Sequence, residues 1–243
     1  MDEKIEFIGN EIELLEDIVH ETEHQVGQLL FCLMDSSKII SRQTIDFGRL
    51  EEQLATATEC ANVVKLVTEN ARLADKDYEA NNETKEIRIF DKVFRAYKQI
   101  GYRARVKEVE LTLQGDSKKV TRIFPCFDML FYIFLENALK YSPSNMEIEI
   151  LVQDEKDACV VTIESVGPKV LPAEEPKLTD RKFRGENAIK VVRKGRGLGL
   201  HTAKKICELH DVELKFFVRD PTFQSNGTDH CTFVVQAKVP SFN

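Results

Sequence analysis

The sequence predicts an α+β chain in two parts. A long antiparallel helical hairpin covers residues 1–80, and an α/β sandwich covers residues 85–243. Three observations carry this expectation. The first 80 residues hold two long runs with apolar positions at heptad-like spacing. From residue 85 the pattern changes to short alternating segments interleaved with helical ones. Late in the chain a glycine-rich turn, Gly195–Leu200 (GRGLGL), runs straight into a helical segment, HTAKKICELHDV.

The 243 residues allow two domains of ordinary size, each with its own core. A net charge of −7 argues against non-specific nucleic-acid binding. The six cysteines are scattered without a CxxC pair, which suits buried free thiols in a reducing cytoplasm. No stretch is apolar enough for a membrane span, and the N-terminus is too acidic for a signal peptide.

The first helix is expected from about Lys4 to Ser37, interrupted only by Gly9 and Gly27. Its stripe is Leu15, Ile18, Val19, Thr22, Val26, Leu29, Leu30 and Leu33. The second is expected from about Phe47 to Ala80, with Leu50, Leu54, Ala57, Ala61, Val64, Val67 and Ala71 on one face. A polar turn, Ser41–Asp46, joins them. Each helix would be about 50 Å long at the α-helical rise. A lone hairpin of that length buries too little, so dimerisation into a four-helix bundle is expected.

After a polar linker, Asn81–Thr84, Glu86–Phe90 alternates as a strand and Asp91–Val106 reads as a helix. Glu108–Gln114 alternates again, and Pro125 precedes a strongly apolar helix. Met146–Gln153 and Ala158–Glu164 are β-rich runs joined by DEKD, a hairpin signal. Val212–Arg219 and Cys231–Val239 form a second pair across the loop PTFQSNGTD. Helices on one side of a mixed sheet complete the sandwich.

Two motifs carry chemistry. Gly195, Gly197 and Gly199 let the backbone approach an anion closely, and the helix they open offers free N–H groups to a phosphate. Upstream, FLENALKYSP spans Phe134–Pro143 and places Asn137, Lys140 and Tyr141 at i, i+3 and i+4 on one helical face. The Asn137 oxygen suits Mg²⁺, and the Lys140 ammonium suits phosphate. The segment from Pro172 to Arg196 reads as a polar lid. Its second half holds Arg181, Lys182, Arg184, Lys190, Arg193, Lys194 and Arg196 against only Glu186, which suits a polyphosphate.

Together, NALKYSP and GRGLGL resemble the N box and second glycine box of the sensor histidine kinase ATP-binding domain, within the superfamily that includes gyrase and Hsp90. The resemblance covers roughly Lys85–Pro240, and KFRGENAIK resembles the F box, with Phe183 as its aromatic. It implies ATP and Mg²⁺ held by Asn137, Lys140, Tyr141, Gly167, Gly195, Gly197, Leu198, Gly199 and Leu200, with Asn137 on the metal. It also directs attention to IVHETEHQV, where His20 and Glu21 match the phospho-acceptor and its neighbouring acid. Gln25 stands where the family has proline, and His24, one turn on, is a second candidate. The implied protein is a two-component kinase of the cytoplasm. It works as a homodimer and passes phosphate to a response-regulator receiver domain. The few residues ahead of the first helix leave no room for a sensor domain. Input is therefore expected from a separate protein, or from a longer chain of which this is the catalytic piece.

The first glycine box departs from the family. It reads Ser165-Val166-Gly167-Pro168-Lys169, so Ser165 replaces the adenine-reading aspartate and Lys169 the second glycine. Glu164 is adjacent but belongs on the opposite face of a strand. Ile133 stands where the family often has a second asparagine. These departures keep an alternative open: a histidine phosphotransfer protein or pseudokinase with a degenerate ATP site.

Overall fold

The computed structural model describes residues 22, 24–40, 46–75, 77–193, 195–225 and 227–242. They fall into two compact units, Met1–Asp75 and Lys76–Asn243.

In the first unit, residues 24–40 are helical (α1) and Phe47–Arg72 form α2. Asp46 caps α2, its carboxylate accepting the Arg49 N–H at 3.0 Å. The Arg49 guanidinium also reaches Asp35 of α1 at 2.8 Å. The buried side chains are Cys32, Ser36 and Ile39 of α1 and Ala57, Cys60, Val67, Glu69 and Asn70 of α2. The expected apolar stripe is largely on the surface of the single chain: Val26 is 39% exposed, Leu30 55% and Leu33 48%. His20 and Glu21 lie outside the described residues, as does most of the expected turn.

The second helix ends at Arg72, eight residues before the expected Ala80, and is about 39 Å long. Asp and Asn in DKDYEANN are poor helix formers that prefer turns. Tyr78 is buried instead, edge-on to Phe124 at 6.0 Å, and Asn82 donates to its carbonyl at 2.7 Å.

The second unit is a two-layer α+β sandwich. Its sheet is built from β2 (Glu110–Gly115), β4 (Glu147–Asp154), β5 (Ala158–Pro168), β6 (Glu213–Ser225) and β7 (Thr228–Pro240), in the order β2-β4-β5-β7-β6. Only β2 and β4 run parallel; the other neighbours are antiparallel. Strand β1 (Lys85–Arg88) pairs with β3 (Val120–Ile123) in a separate ribbon. Strand β3 has no counterpart in the sequence reading. The β6–β7 hairpin is longer than expected. Most of PTFQSNGTD is strand, with a register shift between Arg219 and Phe223.

Helices α3 (Ile89–Val106), α4 (Leu130–Tyr141) and α6 (Gly199–Leu209) form the second layer. Leu130–Leu135 are all buried, so the first half of α4 is apolar on every side. It contacts α3, α6 and β5. The sheet alternates accordingly. Ile148, Ile150, Val161, Ile163, Val235 and Ala237 form the buried face. On the other face Gln114 donates to Glu149, and Arg219 pairs with Glu164.

His210 closes α6 against this core. Its Nδ1 donates to Ile206 O at 2.7 Å, and Nε2 accepts the Phe124 N–H at 3.0 Å. Its ring lies edge-on to Phe127 at 5.0 Å. Burial holds its pKa below the ordinary histidine value, against the opposing effects of the Ile206 bond, Asp211 and Glu79. The neutral form is the one the fold accepts. Its contribution is therefore full above pH of about 6.5 and lost as pH falls through the lowered folded pKa. Urea midpoints measured between about pH 7 and 5 should fall with pH in the wild type, and less steeply in His210→Gln.

Candidate functional site

The site begins with the change of character halfway along α4. After the buried run come Glu136, Asn137, Lys140 and Tyr141, all half-buried. Two side chains from α3 fix this end of the helix. Arg103 grips Glu136 with both guanidinium nitrogens, at 2.5 and 3.1 Å. Lys107 donates to the terminal carbonyls of Leu139 at 2.5 Å and Lys140 at 3.0 Å, capping the negative end of the dipole. Burial pushes the Lys107 pKa down, and Glu136 offsets part of that shift.

The glycine turn lies directly against α4. A Cβ on Gly199 would stand 3.4 Å from Ile133 Cγ2 and 3.5 Å from Asn137 Nδ2. One on Gly195, at φ +143°, would stand 2.7 Å from Lys140 Nζ. One on Gly197, at φ +67°, would stand 2.5 Å from the Phe183 carbonyl oxygen. Two motifs far apart in sequence therefore share one site. Helix α6 starts at Gly199, so its free N–H groups open at the same place. Leu198 and Leu200 are half-buried beside it.

The first glycine box joins from the sheet. A Cβ on Gly167 would lie 4.0 Å from Tyr141 Cβ. The Ser142 hydroxyl donates to Val166 O at 2.9 Å, tying the end of β5 to the end of α4. Ser165 is 6% exposed and shares the helix-facing side with Ile163. Glu164 points to the opposite face, ion-paired with Arg219 at 2.9 Å, as strand parity requires. Ile133 is buried against the glycine turn, so its position supports packing and offers no metal ligand.

The lid is more ordered than its composition suggests. A short helix, α5 (Glu186–Val191), stands inside it. Two cations assigned to polyphosphate attraction are otherwise engaged. Arg184 donates to the carbonyls of Val192, Arg193 and Gly195, and Lys190 pairs with Glu186 at 2.7 Å. His201, in the first turn of α6, lies 3.1 Å from Thr179 O through Nδ1. Burial holds its pKa down, and Lys205, Arg181 and Lys204 act in the same direction against that bond. His24 is exposed on α1.

Sequence reasoning missed Arg103, Lys107 and Ser142. Only Ser142 carried a signal: a serine directly after a helix and before Pro143 is placed to bond a neighbouring backbone. Among the described residues no group of three or more His, Cys, Asp or Glu side chains could hold a metal by itself. Nor is any described helix long and apolar enough to cross a membrane.

Residues 127–241 match the family model for histidine kinase-, DNA gyrase B- and HSP90-like ATPases. The sensor histidine kinase CusS of Escherichia coli is 27% identical over 199 residues, covering 80% of this chain and 40% of that protein. The histidine-protein kinase ArlS of Staphylococcus aureus is 24% identical over 200 residues, covering 81% and 44%. The chain thus spans about two-fifths of the length of these relatives. Among solved structures, the catalytic domain of the histidine kinase ThkA superposes with a TM-score of 0.54 at 17% identity, over 65% of this chain and 98% of that one. ThkA in complex with the response regulator TrrA superposes with a TM-score of 0.51 at 14% identity, over 99% of this chain and 64% of that one.

The glycines separate by their surroundings. Gly197→Ala should destabilise the chain by about 1–3 kcal/mol, since it combines a left-handed φ with a backbone clash. Gly101→Ala, in α3 with open space around its Cβ position, should instead stabilise by about 0.5–1 kcal/mol. Denaturant titration of both variants checks the pair.

Proposed function

We propose, from a chain whose residues 127–241 are a histidine kinase-type ATP-binding domain, that the protein is a two-component kinase. It takes the γ-phosphoryl group of ATP onto its own histidine and hands it to a receiver aspartate. The observation that carries this reading is the convergence of Asn137 and Lys140 with the Gly195–Gly199 turn.

In this reading the triphosphate lies along the glycine turn, over the free N–H groups of α6 and the Lys140 ammonium. The base sits toward Gly167, Tyr141 and Ser165. The Asn137 carboxamide oxygen is a hard donor at the edge of the cradle and fits Mg²⁺ in concert with phosphate oxygens. Mg²⁺ held there supplies charge neutralisation. The transfer itself forms a nitrogen–phosphorus bond at the acceptor imidazole and breaks the bond from the γ-phosphorus to ADP. The proton on the other ring nitrogen passes to a carboxylate. His20 is the acceptor and Glu21 the carboxylate, because that pair has the family's spacing to Val26. A receiver domain is the onward partner, by analogy with the ThkA complex. The six cysteines are all free and buried, which suits the cytoplasm.

Isothermal calorimetry should detect Mg²⁺-dependent ATP binding that Asn137→Ala removes while the fold persists. Incubation with labelled ATP should then place an acid-labile phosphate on the first helix. His20→Gln should abolish it and His24→Gln should leave most of it. Glu21→Gln should slow labelling roughly 10²–10⁴-fold, as loss of a general base does. Labelling from a phosphorylated receiver but never from ATP would identify the alternative, a phosphotransfer protein. Ser165 and Lys169 are the features that favour it.

The exposed stripe of Val26, Leu30 and Leu33 also supports a homodimer through the helical hairpin. Light scattering should give twice the chain mass for the wild type. Leu30→Glu should give a monomer, since an unpaired charge at such an interface costs several kcal/mol.

A further inference from the structure

Helix α5 poses a physical problem. Six residues are too few for a helix to be stable by itself. It has no buried residue, and Ile189 and Val191 are exposed at 46% and 37%. It packs against β5 and β7 without a fully buried side chain, and mid-helix Asn187 donates to the Lys169 carbonyl at 2.9 Å. Polar contacts at its two ends add to these.

At the N-terminal end, Glu174 Oε1 accepts the Glu186 N–H at 2.8 Å, while Oε2 accepts the Leu171 N–H at 3.0 Å. Gly185 makes room for this approach, since a Cβ there would stand 3.0 Å from Glu174 Oε2. At the C-terminal end, the Arg184 guanidinium donates to Val192 O, to Arg193 O at 3.0 Å and to Gly195 O at 3.2 Å. A carboxylate sits at the positive end of the short helix and a guanidinium at the negative end, the arrangement the dipole favours. The Arg184 contacts also run past the helix into the glycine turn. Gly195 is the residue whose Cβ position lies 2.7 Å from Lys140 Nζ and 3.5 Å from Arg184 Cζ.

We propose that Glu174 and Arg184 are paired staples that keep the lid folded before any ligand arrives, and that Arg184 is a positioning residue for the phosphate cradle. It sets where Gly195 lies relative to Lys140 by holding the carbonyls on either side of the lid's exit. The planar fork of an arginine can span these carbonyls, and the point charge of a lysine cannot. The positioning half rests on the nucleotide reading above; the staple half does not.

Hydrogen exchange read by mass spectrometry on the full chain without added nucleotide tests the staples. Exchange over residues 186–196 should accelerate about tenfold or more in Arg184→Gln and in Glu174→Gln, with the sheet unchanged. Arg184→Lys should behave like Arg184→Gln. Calorimetry then tests positioning: ATP and ADP affinities should fall by the same factor in Arg184→Gln, because the whole cradle shifts. Unchanged exchange in both variants would overturn the staples, as would a wild-type segment that already exchanges at the unprotected rate. Loss of ATP affinity alone, with ADP affinity and exchange unchanged, would replace positioning by direct contact with the terminal phosphate. A wild type that binds neither nucleotide overturns the positioning half and the kinase reading together, while the exchange result still decides the staples.

Discussion

The site depends on how closely one stretch of backbone can lie against one helix. A Cβ on Gly199 would sit in van der Waals contact with Ile133 and Asn137, and one on Gly195, at φ +143°, would crowd the Lys140 ammonium. Everything that orients α4 therefore acts on the site. Its buried first half fixes its depth under the sheet. Arg103 and Lys107 fix its exposed end from α3, and Ser142 fixes the same end to β5. The half that packs and the half that binds belong to one rigid rod, which is how a small polar constellation stays in register.

The motifs were legible because their chemistry is local. Gly195 and Gly197 adopt the positive φ that a glycine-rich turn announces, and a Cβ on Gly197 would meet backbone. Asn137, Lys140 and Tyr141 share a face because helical spacing puts them there. The hairpin of β4 and β5 and the parity of Glu164 follow from alternation in the same way. What failed was longer in range. The burial of Tyr78 against Phe124 is a contact no window of sequence reveals. The length of β6 goes with a register shift in its pairing to β7, between Arg219 and Phe223. Composition made the lid look like a field of solvated cations, yet Arg184 and Lys190 are committed to neighbours at hydrogen-bond distance. A charge count cannot tell a displayed guanidinium from one that caps carbonyls.

The lid and the cradle are coupled through that difference. In the proposed nucleotide reading, attraction of a polyphosphate draws on the net positive charge of the lid, to which Arg181, Lys182, Arg193 and Arg196 contribute whatever bonds they make. Order needs specific bonds, and Arg184 with Glu174 supplies those. Dividing the labour between long-range potential and short-range bonding lets one segment be both basic and structured.

The departure at Ser165 has the same logic. The position is 6% exposed, on the buried face of β5 beside Ile163, with Ile148 and Phe233 as its cross-strand neighbours. An ionised carboxylate there would be costly until a donor arrived, because desolvation of an unpaired charge exceeds that of a neutral hydroxyl several-fold. Serine removes that cost from the free state and removes with it the charge-assisted bond that a ligand amino group would have gained, worth about 1.5–3 kcal/mol. In the proposed nucleotide reading, the balance moves from recognition by one strong contact at the base toward recognition by the phosphates. That is where this chain keeps its three glycines, Asn137 and Lys140. A site weighted in this way tolerates variation at the base end and little at the glycine turn, where a single methyl group at Gly197 meets backbone.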